Sequence, residues 1–175
     1  MDGYLLGIIW GSASVHHQNL IIKNKDRFYV DYAVTALGGH TRIQYSRTGL
    51  QYTANLPLRF DMLQKYNWAM RNDNIRPYPT NMDDDVGFIS AWVELHHALD
   101  FCTIRGAKHP RLRIYGNCEL MQTINQKISE IAKVKIKTLQ FLSNNKTVTL
   151  YYQSYDEIVN IHKTFFRHIN IDNGR

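Results

Sequence analysis

The sequence predicts an α+β protein of two homologous halves, joined by packing one helix of each against the other, and three observations carry that prediction. Tyr4-Leu-Leu-Gly-Ile-Ile-Trp-Gly-Ser-Ala-Ser14 is an apolar run with Gly7 and Gly11 four residues apart. On a helix the two glycines share one smooth face that another backbone can approach closely. Phe88-Ile-Ser-Ala-Trp-Val-Glu-Leu-His-His97 is a weaker echo, with Ala91 standing where Gly7 does. Similar segments then follow each run in the same order.

In the first half, Asn19 to Lys23 reads as a short strand. Asp26 caps a helix from Phe28 to Leu37 that Gly38-Gly39 stops. The segments 41–46 and 50–55 alternate around Arg47-Thr48-Gly49, a hairpin signal. Pro57 opens a helix running through Leu63 to Tyr66. Residues 67–84, rich in Asn, Pro and Asp, have little periodicity and form the linker. The closing Asp83-Asp84-Asp85 complements the dipole of the helix that follows.

The second half repeats the plan more fully. Residues 99–105 and 110–115 form a hairpin around Gly106 to His109, and Asn117 caps a helix whose Leu120, Ile124, Ile128 and Ile131 recur at helical spacing. Val134 to Lys137 and Thr147 to Tyr152 are expected to pair across 143–146. Ser154-Tyr-Asp-Glu157 is a capping box that starts a last helix ending near Phe166.

The two apolar runs resemble the motif of the LAGLIDADG family of homing endonucleases, in its two-motif, single-chain form. The copies read Leu5-Leu6-Gly7-Ile8-Ile9-Trp10-Gly11-Ser12-Ala13 and Ile89-Ser90-Ala91-Trp92-Val93-Glu94-Leu95-His96-His97. The resemblance implies two αββαββα half-domains related by a pseudo-twofold, with a basic antiparallel sheet saddle. It divides the chain into a first half at 1–66, the linker at 67–84, a second half at 85–168 and a tail at 169–175. The family's metal-binding carboxylate falls at the eighth place of the motif, held here by Ser12 and His96, so both acids are missing and the catalytic positions are degenerate. Glu94 is the one acid inside either motif, and it lies about 160° around the helix from that place.

Charge placement favours a nucleic-acid face. The segments 12–25, 41–55, 103–115 and 133–152, all read as sheet, hold twelve of the 21 basic residues and none of the 15 acidic ones. Within them Leu112 and Ile114 alternate with Arg111 and Arg113, and Ile43 and Tyr45 with Arg42, Gln44 and Ser46. Val134 and Ile136 alternate likewise with Lys135 and Lys137. One strand parity faces the core and the other faces out. Outward Arg, Lys and Gln can bind phosphates and read base edges. The candidate DNA contacts are Arg42, Gln44, Arg47, Lys108, Arg111, Arg113, Lys135, Lys137 and Lys146.

Other classes lose ground on composition. At 44% apolar residues the chain has ample core material, and its formal net charge of +6 suits a polyanionic partner. Cys102 and Cys118 have no zinc-site spacing and read as thiols of a reducing compartment. Adjacent His16-His17 and His96-His97 cannot share a metal face, so no metal site and no cofactor are expected, Mg²⁺ entering only for a working nuclease. Residues 4–14 mimic a signal peptide but follow an acidic Asp2, and no run reaches the roughly 20 apolar residues of a membrane span, so a cytoplasmic location is expected. Together these features predict a monomeric double-stranded DNA-binding protein derived from a homing endonuclease, a mobile element, without cleavage activity and open to regulatory use. Two alternatives stay open: an active metal-dependent endonuclease with relocated acidic ligands such as Glu94, and a protein-interaction module that keeps only the fold.

Overall fold

The computed structural model describes residues 1–16, 19–39, 41–59, 61–68, 76–143 and 146–168. Its first half runs α1 (Gly3–Ser12), β1 (Ala13–His16), β2 (Asn19–Asn24), α2 (Arg27–Ala36), β3 (Gln44–Ser46), β4 (Gln51–Arg59) and α3 (Asp61–Gln64). Its second runs α4 (Asp85–Leu95), β5 (His97–Ile104), β6 (Ala107–Gly116), α5 (Cys118–Ala132), β7 (Gln140–Phe141), β8 (Val148–Tyr152) and α6 (Tyr155–Phe165). Two four-stranded antiparallel sheets result, ordered β1-β2-β4-β3 and β5-β6-β8-β7. One strand order is thus used twice, and the α+β architecture expected from the paired motifs is the one observed.

Helices α1 and α4 are buried nearly all round, because each packs on the other, α1 also on α2 and its own sheet and α4 also on α5 and α6. Asp2 caps α1 by accepting from the Leu5 N–H at 2.8 Å. Asp84 caps α4 with one oxygen at the Gly87 N–H, 2.8 Å, and takes the Gly3 N–H of the other helix with its second, 3.2 Å. One carboxylate therefore ties both helix starts together. At Gly7 the backbones come so close that an added Cβ would stand 2.6 Å from the Phe88 carbonyl oxygen.

Both sheets lay one face on the helices. Leu20, Ile22, Ala54 and Leu56 in the first, and Leu112, Ile114, Leu150 and Tyr152 in the second, are buried in cross-strand register. Asp26 and Asn117 cap α2 and α5 as the sequence predicts, and Gly38 takes a positive φ of 67° just past the end of α2.

Several local expectations are overturned. Pro57 opens no helix: β4 continues through it to Arg59, and the proline falls where the β2/β4 register shifts between Asn19 and Leu20. A bulge leaves a residue without a ladder partner, so proline's missing N–H costs nothing there. The first half begins with a strand pair, β1 and β2, instead of one strand, while residues 41–43 precede β3. The turn of the β5/β6 hairpin is Arg105-Gly106 alone, not Gly106 to His109.

Val134 to Lys137 do not form a strand. Side chains satisfy their backbone instead: Asn125 of α5 donates to the Lys137 carbonyl at 2.7 Å and accepts its N–H at 3.0 Å. Ser129 donates to the Val134 carbonyl at 2.6 Å, and Glu157 accepts the Lys135 N–H at 3.2 Å. The same use of Glu157 undoes the capping box, and Ser154 makes no side-chain capping bond to α6.

Candidate nucleic-acid interface

The faces turned away from the helices differ between the sheets. In the first, Ile21 stands opposite Asn55, Lys23 opposite Thr53, Gln44 opposite Thr53 and Ser46 opposite Gln51. That face is mainly amide and hydroxyl, with Lys23 as its strand cation. Arg42 and Arg47 are exposed but sit in the segment before β3 and in the 47–50 turn, so they flank the face and do not stand on it.

In the second sheet the outward parity pairs Asp100 with Arg111, Ala98 with Arg113 and Arg113 with Tyr151. Asp100 is the acid that charge segregation over 103–115 leaves out, because β5 begins at His97. Arg111 donates from Nε and Nη2 to its two oxygens, each at 2.9 Å, and Arg113 donates from Nη2 to Oδ2. The hydrogen bonds from Arg111, with the positive charge of Arg113, hold the Asp100 carboxyl below the usual carboxylate range.

Other predicted contacts lie elsewhere. Lys108 pairs with Thr103 at the hairpin tip, on the parity of Leu112 and so on the opposite face from Arg111. Lys137 donates to both oxygens of Glu157 at 2.8 Å, which corrects its reading as an outward strand lysine. Lys135 is exposed, but in the irregular segment before β7.

Beside the end of β6, where α1 and α4 end, lies a cleft of about 320 Å³ whose lining includes Gly11, Arg76, Trp92, His96, Asn117 and Lys146. The His96 ring stacks on Trp92 at 4.0 Å and 15°, its Nδ1 donates to the Trp92 carbonyl at 3.2 Å, and its Cε1 lies over Gly11. The Ser12 hydroxyl accepts from Asn24 Nδ2 at 3.2 Å. Arg76, buried, donates to the carbonyls of Trp10 and of Ala13, the latter at 2.8 Å, and Asn117 donates to the Arg76 carbonyl at 3.0 Å. A guanidinium thus satisfies the last carbonyls of α1, the negative end of its dipole. Nothing in the sequence marked Arg76, because it falls in an aperiodic stretch.

The Mg²⁺ that a homing nuclease uses needs hard oxygen ligands, and among the described residues no carboxylate lines this cleft. His96 and Arg76 offer the cleft an imidazole and a cation, a donor set that does not suit the ion. Among the described residues no group of three or more His, Cys, Asp or Glu stands together as a metal site. Glu94 is buried away from the cleft, accepting from the Tyr4 hydroxyl and from the N–H groups of Arg167 and His168, at 2.5 and 2.6 Å. Beyond it the His168 ring stacks on Phe28 at 3.6 Å, so the end of the second half is fastened over the first. His17 and the tail at 169–175 lie outside the described residues. Trp10 and Trp92 are buried, donating to the carbonyls of Pro77 and Tyr115.

By sequence the chain matches no protein-family model and no curated protein. By fold it is similar to several solved structures. The LAGLIDADG homing endonuclease I-LtrWI, bound to its target DNA, superposes with a TM-score of 0.65 at 9% identity, over 93% of this chain and 82% of that one. The N-terminal LAGLIDADG domain of DUF199/WhiA gives 0.60 at 11% identity, over 97% and 82%. A variant of I-DmoI in complex with its target DNA gives 0.56 at 16% identity, over 93% of both chains. Among the described residues no helix is long and apolar enough to cross a membrane.

Proposed function

With the fold being that of LAGLIDADG homing endonucleases, we propose that the chain binds double-stranded DNA along its two outward sheet faces and does not cut it. The observation that carries this reading is the composition of those faces. Amides, hydroxyls, Lys23, Arg111 and Arg113 stand on them, and Asp100, the one acid within the described strands, is neutralised by two arginines. Such groups bind phosphates and read base edges. The DNA-bound state of several structural neighbours supports the same partner.

Absence of cleavage rests on the cleft. Its donors do not suit Mg²⁺, and a relocated-ligand nuclease built on Glu94 would have to strip that carboxylate of three hydrogen bonds. Both halves of the scaffold come from one chain, at 1–66 and 85–168 with 67–84 between them, so a monomer supplies both DNA-facing sheets. A binder that leaves its site intact suits regulatory use.

Titrating labelled duplex DNA at several salt concentrations tests the proposal. Affinity should fall steeply, with a slope of log K against log salt on the order of −4 or steeper, for about five phosphate contacts. Duplex incubated with the protein and Mg²⁺ or Mn²⁺ should stay intact. A flat salt response, no binding at low salt, or site-specific cuts would overturn it.

A further inference from the structure

We infer that Asp100 is a positioning residue for sequence readout, fixing Arg111 and Arg113 as a guanidinium pair that reads guanine in the major groove. The inference rests on the DNA-binding reading and names how the second sheet would choose its site.

Asp100 stands directly across the strand pair from Arg111, and Arg113 lies two residues further along the same face of β6. The carboxylate takes Nε and Nη2 of Arg111 side-on, and its Oδ2 also takes Nη2 of Arg113. Three N–H donors on one carboxylate remove the rotational freedom of two long side chains together. The three side chains remain 26–35% accessible, so the pair is open to a ligand. Side-on pairing through Nε and Nη2 leaves Arg111 both protons of Nη1 and the second proton of Nη2, so its Nη1–Nη2 edge keeps two parallel donors. An arginine so held can present that edge to the O6 and N7 of guanine, which accept arginine's paired donors.

Charge argues for the same role. If the arginines served only phosphate, Asp100 would work against them, cutting the local charge from two positive to one and placing a carboxylate before a polyanion. An acid on the outward face of a DNA-facing sheet, on its edge strand β5, makes sense where orientation counts for more than attraction. Among the described residues the first sheet has no such triad: its outward Gln44, Gln51, Thr53 and Asn55 are neutral groups suited to adenine or to either base pair. Guanine preference should therefore belong to the half-site under β5 and β6.

The test selects duplexes from a randomised pool with the full chain and with Asp100→Asn. Each protein's best site and a non-specific duplex are then titrated, and thermal melting is followed in parallel. The expected result is G·C preference at one or two neighbouring pairs for the parent. Asp100→Asn should lose about fivefold or more of that discrimination while binding the non-specific duplex more tightly and with a steeper salt slope. Arg111→Ala, which leaves Asp100 its bond to Arg113, should lose the preference at the same pairs, with a shallower slope. That variant carries the test if Asp100→Asn melts too low to use. A selective parent whose base preference survives both substitutions overturns this inference alone, as does a uniform change over all sequences. A parent that binds no duplex overturns the DNA reading and this inference with it.

Discussion

Gly7 of α1 lies against Ala91 of α4 so closely that a Cβ built on the glycine would stand 2.7 Å from the Cβ of Ala91 and 2.6 Å from the carbonyl oxygen of Phe88. The obstructing oxygen is backbone, which cannot swing aside. A side chain here must push the two helices apart, and they hold the two halves of the molecule together.

Gly7→Val should therefore destabilise the protein by about 1–3 kcal/mol, the usual cost of overpacking, although valine is the better helix former. That loss corresponds to roughly 2–12 °C in melting temperature for a chain of this size. Gly38→Ala, which meets open space at a positive φ of 67°, should cost no more than the local backbone strain, about 1–2 kcal/mol. Thermal denaturation of the two variants side by side checks the ranking.

Arg76→Ala should rank among the more damaging single changes. It strands the carbonyls of Trp10 and Ala13 at a buried helix end. Each charge-assisted bond is worth about 1.5–3 kcal/mol. Urea unfolding should show a fall of at least about 2 kcal/mol on that scale. Arg76→Lys should restore only part of it, because a single ammonium cannot reproduce the planar fork.

Glu94→Gln separates a structural acid from a catalytic one. The amide keeps one acceptor where the carboxylate has two, so the N–H groups of Arg167 and His168 lose their charged partner. Hydrogen exchange at those two amides should quicken, and stability should drop by about 1–3 kcal/mol. Duplex affinity should stay as it was, since Glu94 faces Tyr4 and the backbone of Arg167 and His168, away from the cleft.

Alkaline pH should unfold the protein through its buried tyrosines. Burial, with a hydrogen bond to Glu94 or Asp85 in two cases, raises the hydroxyls of Tyr4, Tyr29, Tyr78 and Tyr152 above their ordinary value of 10.0. A folded state that keeps these protons when the unfolded chain would release them is stable below pH 10 and loses ground as pH rises beyond it. Absorbance of tyrosinate should therefore appear late and together with loss of helical circular dichroism. Early ionisation of all eleven tyrosines without unfolding would contradict the burial of these four.

Much of the fold was legible because it rests on repeated local patterns. The glycine-bearing run and its echo gave the helix pair, and Asp26, Asn117 and Gly38 marked helix ends through short-range chemistry. The errors share a cause. Pro57, Val134 to Lys137 and Ser154 were each read by local rules, and each is governed by a distant partner: the bulge opposite Asn19, the side chain of Asn125, and the demand of Lys135 and Lys137 on Glu157. Arg76 gave no signal, since a lone arginine between an isoleucine and a proline has no periodicity to betray its burial.

By itself the sequence determined the two-half plan, the face on which α1 and α4 meet and the parity that turns Arg111 and Arg113 outward, because periodicity and residue size act over a few positions. Only the tertiary structure decided which charges are available. Strand register set Asp100 across from Arg111, and helix packing brought Glu157 to Lys137 and Arg76 to the end of α1. Coulombic and hydrogen-bonding partners are chosen by distance in space, which one-dimensional spacing does not encode.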